Sequence, residues 1–175
     1  YLHLAPQSNM SFATDFYITS SRNIPPQLSH NLSLGYASEA LAGRLRWSIE
    51  AFYRYMNNVV EYDSHILDVL SGNSDYNTTI HSGRGESYGL ETNIAYNDKC
   101  FDVQLNYTLS KSIRVFDDIN NGIPFPAHSD RRHNLSTLIA YKPSPQWTLS
   151  ATFAYATGIP YTATMSIYIS GNAFL

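Results

Sequence analysis

Phe101-Asp102-Val103-Gln104-Leu105-Asn106-Tyr107-Thr108-Leu109-Ser110 is the stretch whose pattern decides the fold. Apolar residues (Phe101, Val103, Leu105, Tyr107, Leu109) alternate with polar ones (Asp102, Gln104, Asn106, Thr108, Ser110) without a break. Successive side chains of a strand point to opposite faces, so this alternation predicts a strand with one apolar and one polar side. The same split recurs at Leu45, Trp47, Ile49, Ala51, Tyr53 and Tyr55 against Arg46, Ser48, Glu50 and Arg54. It returns at Trp147, Leu149, Ala151, Phe153 and Tyr155 against Gln146, Thr148, Ser150 and Thr152. Shorter versions are Leu32, Leu34, Tyr36; Tyr88, Leu90, Ile94, Tyr96; and Leu135, Ile139, Tyr141. With a fragment at Tyr1–Leu4 this makes seven strands, and no stretch shows a comparable helical period. The expectation is an all-β, antiparallel protein.

The connections alternate in length. Short links near Glu39–Gly43, Asn97–Lys99 and Pro143–Pro145 carry the Gly, Asn, Asp and Pro of tight turns. Long ones cover about Gln7–Gln27, Asp63–Glu86 and Asp117–Arg131. Outer-membrane barrels have short periplasmic turns and long extracellular loops, whereas a soluble sandwich has no such asymmetry. The polar face is Ser, Thr, Asn and Gln with isolated charges and almost no Lys, which suits a crowded lumen better than open water. The apolar face begins with an aromatic beside each short turn: Tyr36, Trp47, Tyr96, Phe101, Tyr141 and Trp147. A second set, Tyr53, Tyr55, Tyr107 and Tyr155, follows six to eight residues along the same strands. Two aromatic levels fit girdles at two membrane interfaces. Phe101–Leu109, tilted near 40°, rises about 23 Å, close to the ~25 Å apolar band of such barrels.

Composition agrees with a wall in lipid. The chain has 175 residues, 14 acidic and 11 basic, for a formal net charge of −3. Charged residues are 14%, against roughly 25% in soluble domains, and 14 tyrosines dominate the aromatics. The near-neutral balance excludes a nucleic-acid binder working through a basic patch. A single cysteine, Cys100, excludes an internal disulfide framework and a Cys-rich zinc site. Apolar runs stop at four residues, far from the roughly 20 a spanning helix needs. No leader precedes the first strand and no turn follows Ala173-Phe174-Leu175, so the chain is expected to be part of a longer one. Bacterial single-chain barrels have an even strand number, and an odd count points the same way.

Several segments, taken in order, resemble a known family. Arg84-Gly85-Glu86-Ser87-Tyr88-Gly89-Leu90-Glu91 is similar to the G-x-x-Y-G-x-E strand entry of TonB-dependent outer-membrane receptors. Tyr107-Thr108-Leu109-Ser110-Lys111-Ser112, Phe116–Gly122, Phe125–Asn134 and Tyr155–Thr162 follow as in the C-terminal half of that barrel. Tyr1–Leu4 and Glu50–Asn58 also resemble family segments, so the likeness covers essentially the whole chain. It implies about seven strands of a barrel of about 22, filled by an N-terminal plug. Residues 1–175 are then a partial transmembrane barrel domain, with the plug, the remaining strands and the TonB-contacting segment outside it.

What the resemblance implies is uptake of a scarce ligand through plug movement, in the bacterial outer membrane. Siderophores, haem, cobalamin, oligosaccharides and peptides are all ligands of such receptors. The expected partners are membrane lipid, the plug and missing strands, TonB and that ligand; no cofactor is expected. Arg46, Glu50, Arg54, Glu91, Asp102 and Arg114 are read as a lumen-facing network against the plug, ahead of direct ligand contact. Asp117, Asp118, Asp130, Arg131 and Arg132 are read as ion pairs ordering a long loop. With His128 and His133 the loop's carboxylates invite a metal reading, but their spacing matches no ligand pattern. Lys111 interrupts the apolar face just above the band, where either lipid phosphate or solvent would meet it. N-x-[ST] triplets at Asn9, Asn31, Asn77, Asn106 and Asn134 look like glycosylation acceptors; those at Asn31, Asn106 and Asn134 are a by-product of alternation. No nucleophile–base pair or phosphate loop suggests an enzyme. The rival functions are a passive outer-membrane channel and a soluble β-sandwich binding module.

Overall fold

The computed structural model describes residues 2–4, 16–18, 20, 24–62 and 80–161. Its strands are β1 (Leu2–Leu4), β2 (Phe16–Ile18), β3 (Leu28–Ala40), β4 (Leu45–Tyr62), β5 (Ile80–Asn97), β6 (Phe101–Val115), β7 (Phe125–Pro126), β8 (His133–Ser144) and β9 (Trp147–Ala156). One 3-10 turn, Asn120–Gly122, is the only helical element among the described residues. Every pairing is antiparallel. The main sheet runs β3-β4-β5-β6-β8-β9, with β7 beside the end of β6, while β1 and β2 form a separate ladder.

The expected alternation is present in each wall strand, but the element bounds differ. The seventh member of the main sheet is β7, inside the expected loop Asp117–Arg131, and not the Tyr1–Leu4 segment. Of that segment Leu2–Leu4 pair with Phe16–Ile18, which lies inside the expected loop Gln7–Gln27. The expected loop Asp63–Glu86 gives way to strand from Ile80 onward. Tyr1, most of the first two loops, the triplets at Asn9 and Asn77, and the terminal Ala173-Phe174-Leu175 lie outside the described residues.

Register assigns the faces. Directly paired residues point the same way, so one row across the sheet reads Ser38–Trp47–Ile94–Leu105–Thr137–Phe153. The next row on the opposite face reads Ala37–Ser48–Asn93–Asn106–Ser136–Ala154. One irregularity interrupts β4: Asn57 pairs with Arg84 and Val59 with Gly83, leaving Asn58 as the extra residue of a β-bulge. Asn58 sits at φ 55°, a left-handed conformation that asparagine tolerates, and its amide donates to the Pro26 carbonyl at 3.0 Å. Beyond it, Val59 and Glu61 join the polar face, with Glu61 opposite His81.

The wall is one layer thick. Leu34 is 80% exposed and Phe153 59% exposed, although both stand on the apolar face. Buried apolar side chains among the described residues are Ile24, Val59, Phe116 and Ala127. They mark a small core at the long-loop end. Its floor is the glycine-rich polar face of β5: a Cβ on Gly83 would collide with the Phe116 ring and the Val115 carbonyl.

Candidate functional site

The polar face of the sheet is built in rows. Asn93 donates to Ser48 Oγ and Asn106 to Ser136 Oγ, each at 3.3 Å, so amides and hydroxyls satisfy one another across strands. Toward the long loops, Arg54 Nε donates to Asn31 Oδ1 at 2.6 Å, and the hydroxyls of Ser87 and Ser112 meet at 2.7 Å. Phe52 lies among these polar groups over Gly89, where a Cβ would stand 2.9 Å from two carbons of its ring.

All six charged residues expected in the lumen share this face. Arg114 forms an ion pair with Glu61, both side chains being about one-fifth exposed. Arg54 has Asn31. Arg46, Glu50, Glu91 and Asp102 have no side-chain partner among the described residues, although Arg46 pairs in register with Glu39. Glu50 and Glu91 stand directly opposite one another, an arrangement of like charges that costs stability in a sheet unless something else neutralises them. Glu61 was not foreseen because the alternation of β4 assigns odd positions to the apolar face. The Asn57-Asn58 pair, followed by two valines that break the pattern, is the signal of the bulge.

The loop between β6 and β8 is tied down mainly through Asp130. Its Oδ1 accepts the Ser112 backbone N–H at 2.7 Å, and its Oδ2 lies 3.6 Å from Arg132. Asp118 reaches His81 on β5 at 3.6 Å. Asp117 and Arg131 form no ion pair among the described residues; the Arg131 carbonyl accepts from Ser110 Oγ. Phe116 stacks on Phe125 with ring centroids 5.9 Å apart, and Ala127 N–H donates to Ser112 O. His133 faces the other side of the sheet, where its Nδ1 meets the Tyr107 hydroxyl at 2.8 Å. No three His, Cys, Asp or Glu of the described residues group as metal ligands.

The aromatics expected in the two girdles occupy the apolar face. Tyr36 packs against Trp47 at 5.3 Å between centroids, and Phe101 stacks on Tyr141 at 4.9 Å. Tyr96 opposes Leu45, next to the β4 start, and Trp147 opens β9 opposite Ser144. Nearer the long loops, Tyr53 opposes Tyr88, Tyr55 opposes Glu86, and Tyr107 and Tyr155 flank Leu135. At the short-turn end Arg44 lies 3.6 Å from Asp98, joining two neighbouring turns. Asp98 accepts the Lys99 N–H at 2.6 Å, which holds its carboxyl below the usual carboxylate value, with the Tyr96 hydroxyl and Arg44 acting in the same sense.

The family model for the TonB-dependent receptor-like β-barrel matches residues 4–173. The chain belongs to the TonB-dependent receptor β-barrel family. No curated protein matches it in sequence. Among solved structures it is similar to the ferripyoverdine receptor of the outer membrane of Pseudomonas aeruginosa, bound to ferripyoverdine, with a TM-score of 0.53 and 18% identity. The FpvAI–pyocin S2 complex matches with the same score and identity. In both cases 77% of this chain aligns to 20% of the other, so this TonB-dependent receptor segment spans about a fifth of those chains. At that identity the likeness speaks for the fold: an antiparallel section of an outer-membrane receptor barrel.

Proposed function

We propose that residues 1–175 are a section of the wall of a TonB-coupled outer-membrane receptor that takes up a scarce ligand of the siderophore, haem, cobalamin or oligosaccharide class. The apolar face meets lipid and the polar face meets a plug. The observation that carries this reading is the set of charges on the polar face without side-chain partners among the described residues: Arg46, Glu50, Glu91 and Asp102 on a one-layer wall. Charged groups held on an enclosed polar face need counter-charges or donors, and a plug seated in the lumen supplies them. Arg54 and Arg114 are already engaged with the wall and hold its own strands together. Energy from TonB then shifts the plug, and the ligand is moved by its different affinities for the closed and opened states.

The test uses the intact receptor. Deleting its gene is expected to abolish growth on one of the candidate ligands as a limiting nutrient, with restoration only when TonB is functional. Growth restored equally without TonB would replace this reading with a passive channel. Purification of the intact protein from the aqueous fraction without detergent would overturn the membrane reading altogether.

A further inference from the structure

Lys111 stands on the apolar face of β6, in a row that reads Leu32–Tyr53–Tyr88–Lys111. It is half-buried and has no carboxylate partner among the described residues. Its diagonal neighbour on β8 is His133, which opposes Leu109, two residues before Lys111. Such diagonal neighbours lie about 7–8 Å apart, within reach of long side chains. When the Tyr107 hydroxyl donates to His133 Nδ1, the ring carries its proton on Nε2 and presents a donor. Two phenols, an ammonium and an imidazole therefore gather on the outward face, at the long-loop end of the apolar band.

We infer that Lys111 and His133, framed by Tyr88 and Tyr107, form a binding site for a terminal, net-anionic phosphate of a membrane lipid headgroup, one not capped by a cationic group such as choline. The chemistry is complementary. A phosphate oxygen offers several acceptors to an ammonium that lacks an anion, and tyrosines at the interface seat the lipid's glycerol or sugar region. An unpaired lysine facing acyl chains is costly, and the shortest escape is toward headgroup phosphates at the edge of the band. Among the described residues Glu86 is the one carboxylate on the same face nearby, two residues along from Tyr88, and it makes no ion pair with Lys111. The inference rests on the outward orientation of the apolar face.

The experiment is native mass spectrometry of the intact receptor in detergent. It is titrated with phosphatidic acid and with phosphatidylcholine of the same acyl chains. The expected result is preferential retention of phosphatidic acid, reduced about fivefold by Lys111→Gln and further by adding His133→Gln. Lys99→Gln, in a short turn, is expected to leave it unchanged, and inorganic phosphate is expected not to displace the lipid. Equal retention of the two lipids, or selectivity that survives Lys111→Gln, would overturn the site. A nitroxide at Leu105 separates the underlying reading: lipid contact there without phosphate selectivity removes the site alone, whereas no lipid contact removes the face assignment as well.

Discussion

Gly89 lets the Phe52 ring lie flat across the inner face, and the carbonyl oxygen of Leu109 would lie nearer still to any added Cβ. Gly89→Ala is expected to destabilise the barrel by roughly 1–3 kcal/mol through overpacking. Gly158→Ala, where a Cβ meets nothing within 4 Å, serves as the neutral control. Unfolding midpoints of the two variants in urea make the comparison. Leu105 and Asn106 are adjacent in sequence but face opposite ways. An arginine at Leu105 is expected to cost ~2–4 kcal/mol, and one at Asn106 far less, because only the first would enter hydrocarbon. Equal costs would mean the faces are assigned wrongly. Asp98 makes a pH-dependent contribution at the short-turn end. The Lys99 N–H holds its folded-state pKa below the ordinary aspartate value, so its stabilising contribution is present above that ordinary value and is lost as the pH falls through the folded pKa. The carboxyl carbon shift of Asp98 is expected to titrate below the ordinary aspartate range, and Lys99→Pro, which removes the donating N–H, to raise the midpoint.

At the scale of elements, the loop between β6 and β8 behaves as part of the wall because one carboxylate caps a strand amide. Asp130→Ala is expected to speed hydrogen exchange at the Ser112 amide by roughly 10–100-fold, as for loss of a hydrogen bond to a charged acceptor. Asp130→Asn, which keeps the acceptor oxygen, is expected to restore most of the protection. That bond was not legible in the sequence, where Asp130 stood beside Arg131 and Arg132 and suggested only ion pairs. The faces of β3, β4, β5, β6, β8 and β9 were legible, because alternate residues of each strand carry opposite chemistry. The core at the long-loop end was not. Phe116, Phe125 and Ala127 are too few and too irregularly spaced to announce a periodic element, and their burial depends on Gly83 from a strand distant in sequence. The short partnership of Leu2–Leu4 with Phe16–Ile18 was hidden for the same reason.

Across the whole sheet, a line drawn at right angles to the strands from Tyr36 passes through Ile49, Thr92, Tyr107 and Leu135 and arrives at Tyr155. Tyr36 belongs to the aromatic level near the short turns, and Tyr155 to the one near the long loops. On β9 the turn-side aromatic is Trp147, eight residues earlier in the chain. Over five strand-to-strand steps of ~4.8 Å and a rise of ~3.3 Å per residue, the aromatic level therefore slopes by about 48° against that line. A slope near the ~45° tilt of membrane strands is what two horizontal girdles demand. Nitroxides at Tyr36 and Tyr155 of the intact receptor are accordingly expected to report opposite membrane interfaces, and equal depths would refute the tilt. The bulge at Asn58 bears on how such a wall tolerates changes of length. Losing Asn58 would heal the ladder and leave Val59 and Glu61 on their present side, whereas losing Ala51 would invert the side chains from Phe52 up to the bulge and no further. The extra residue is thus a slack link that confines a single-codon deletion in β4 to one segment of the strand.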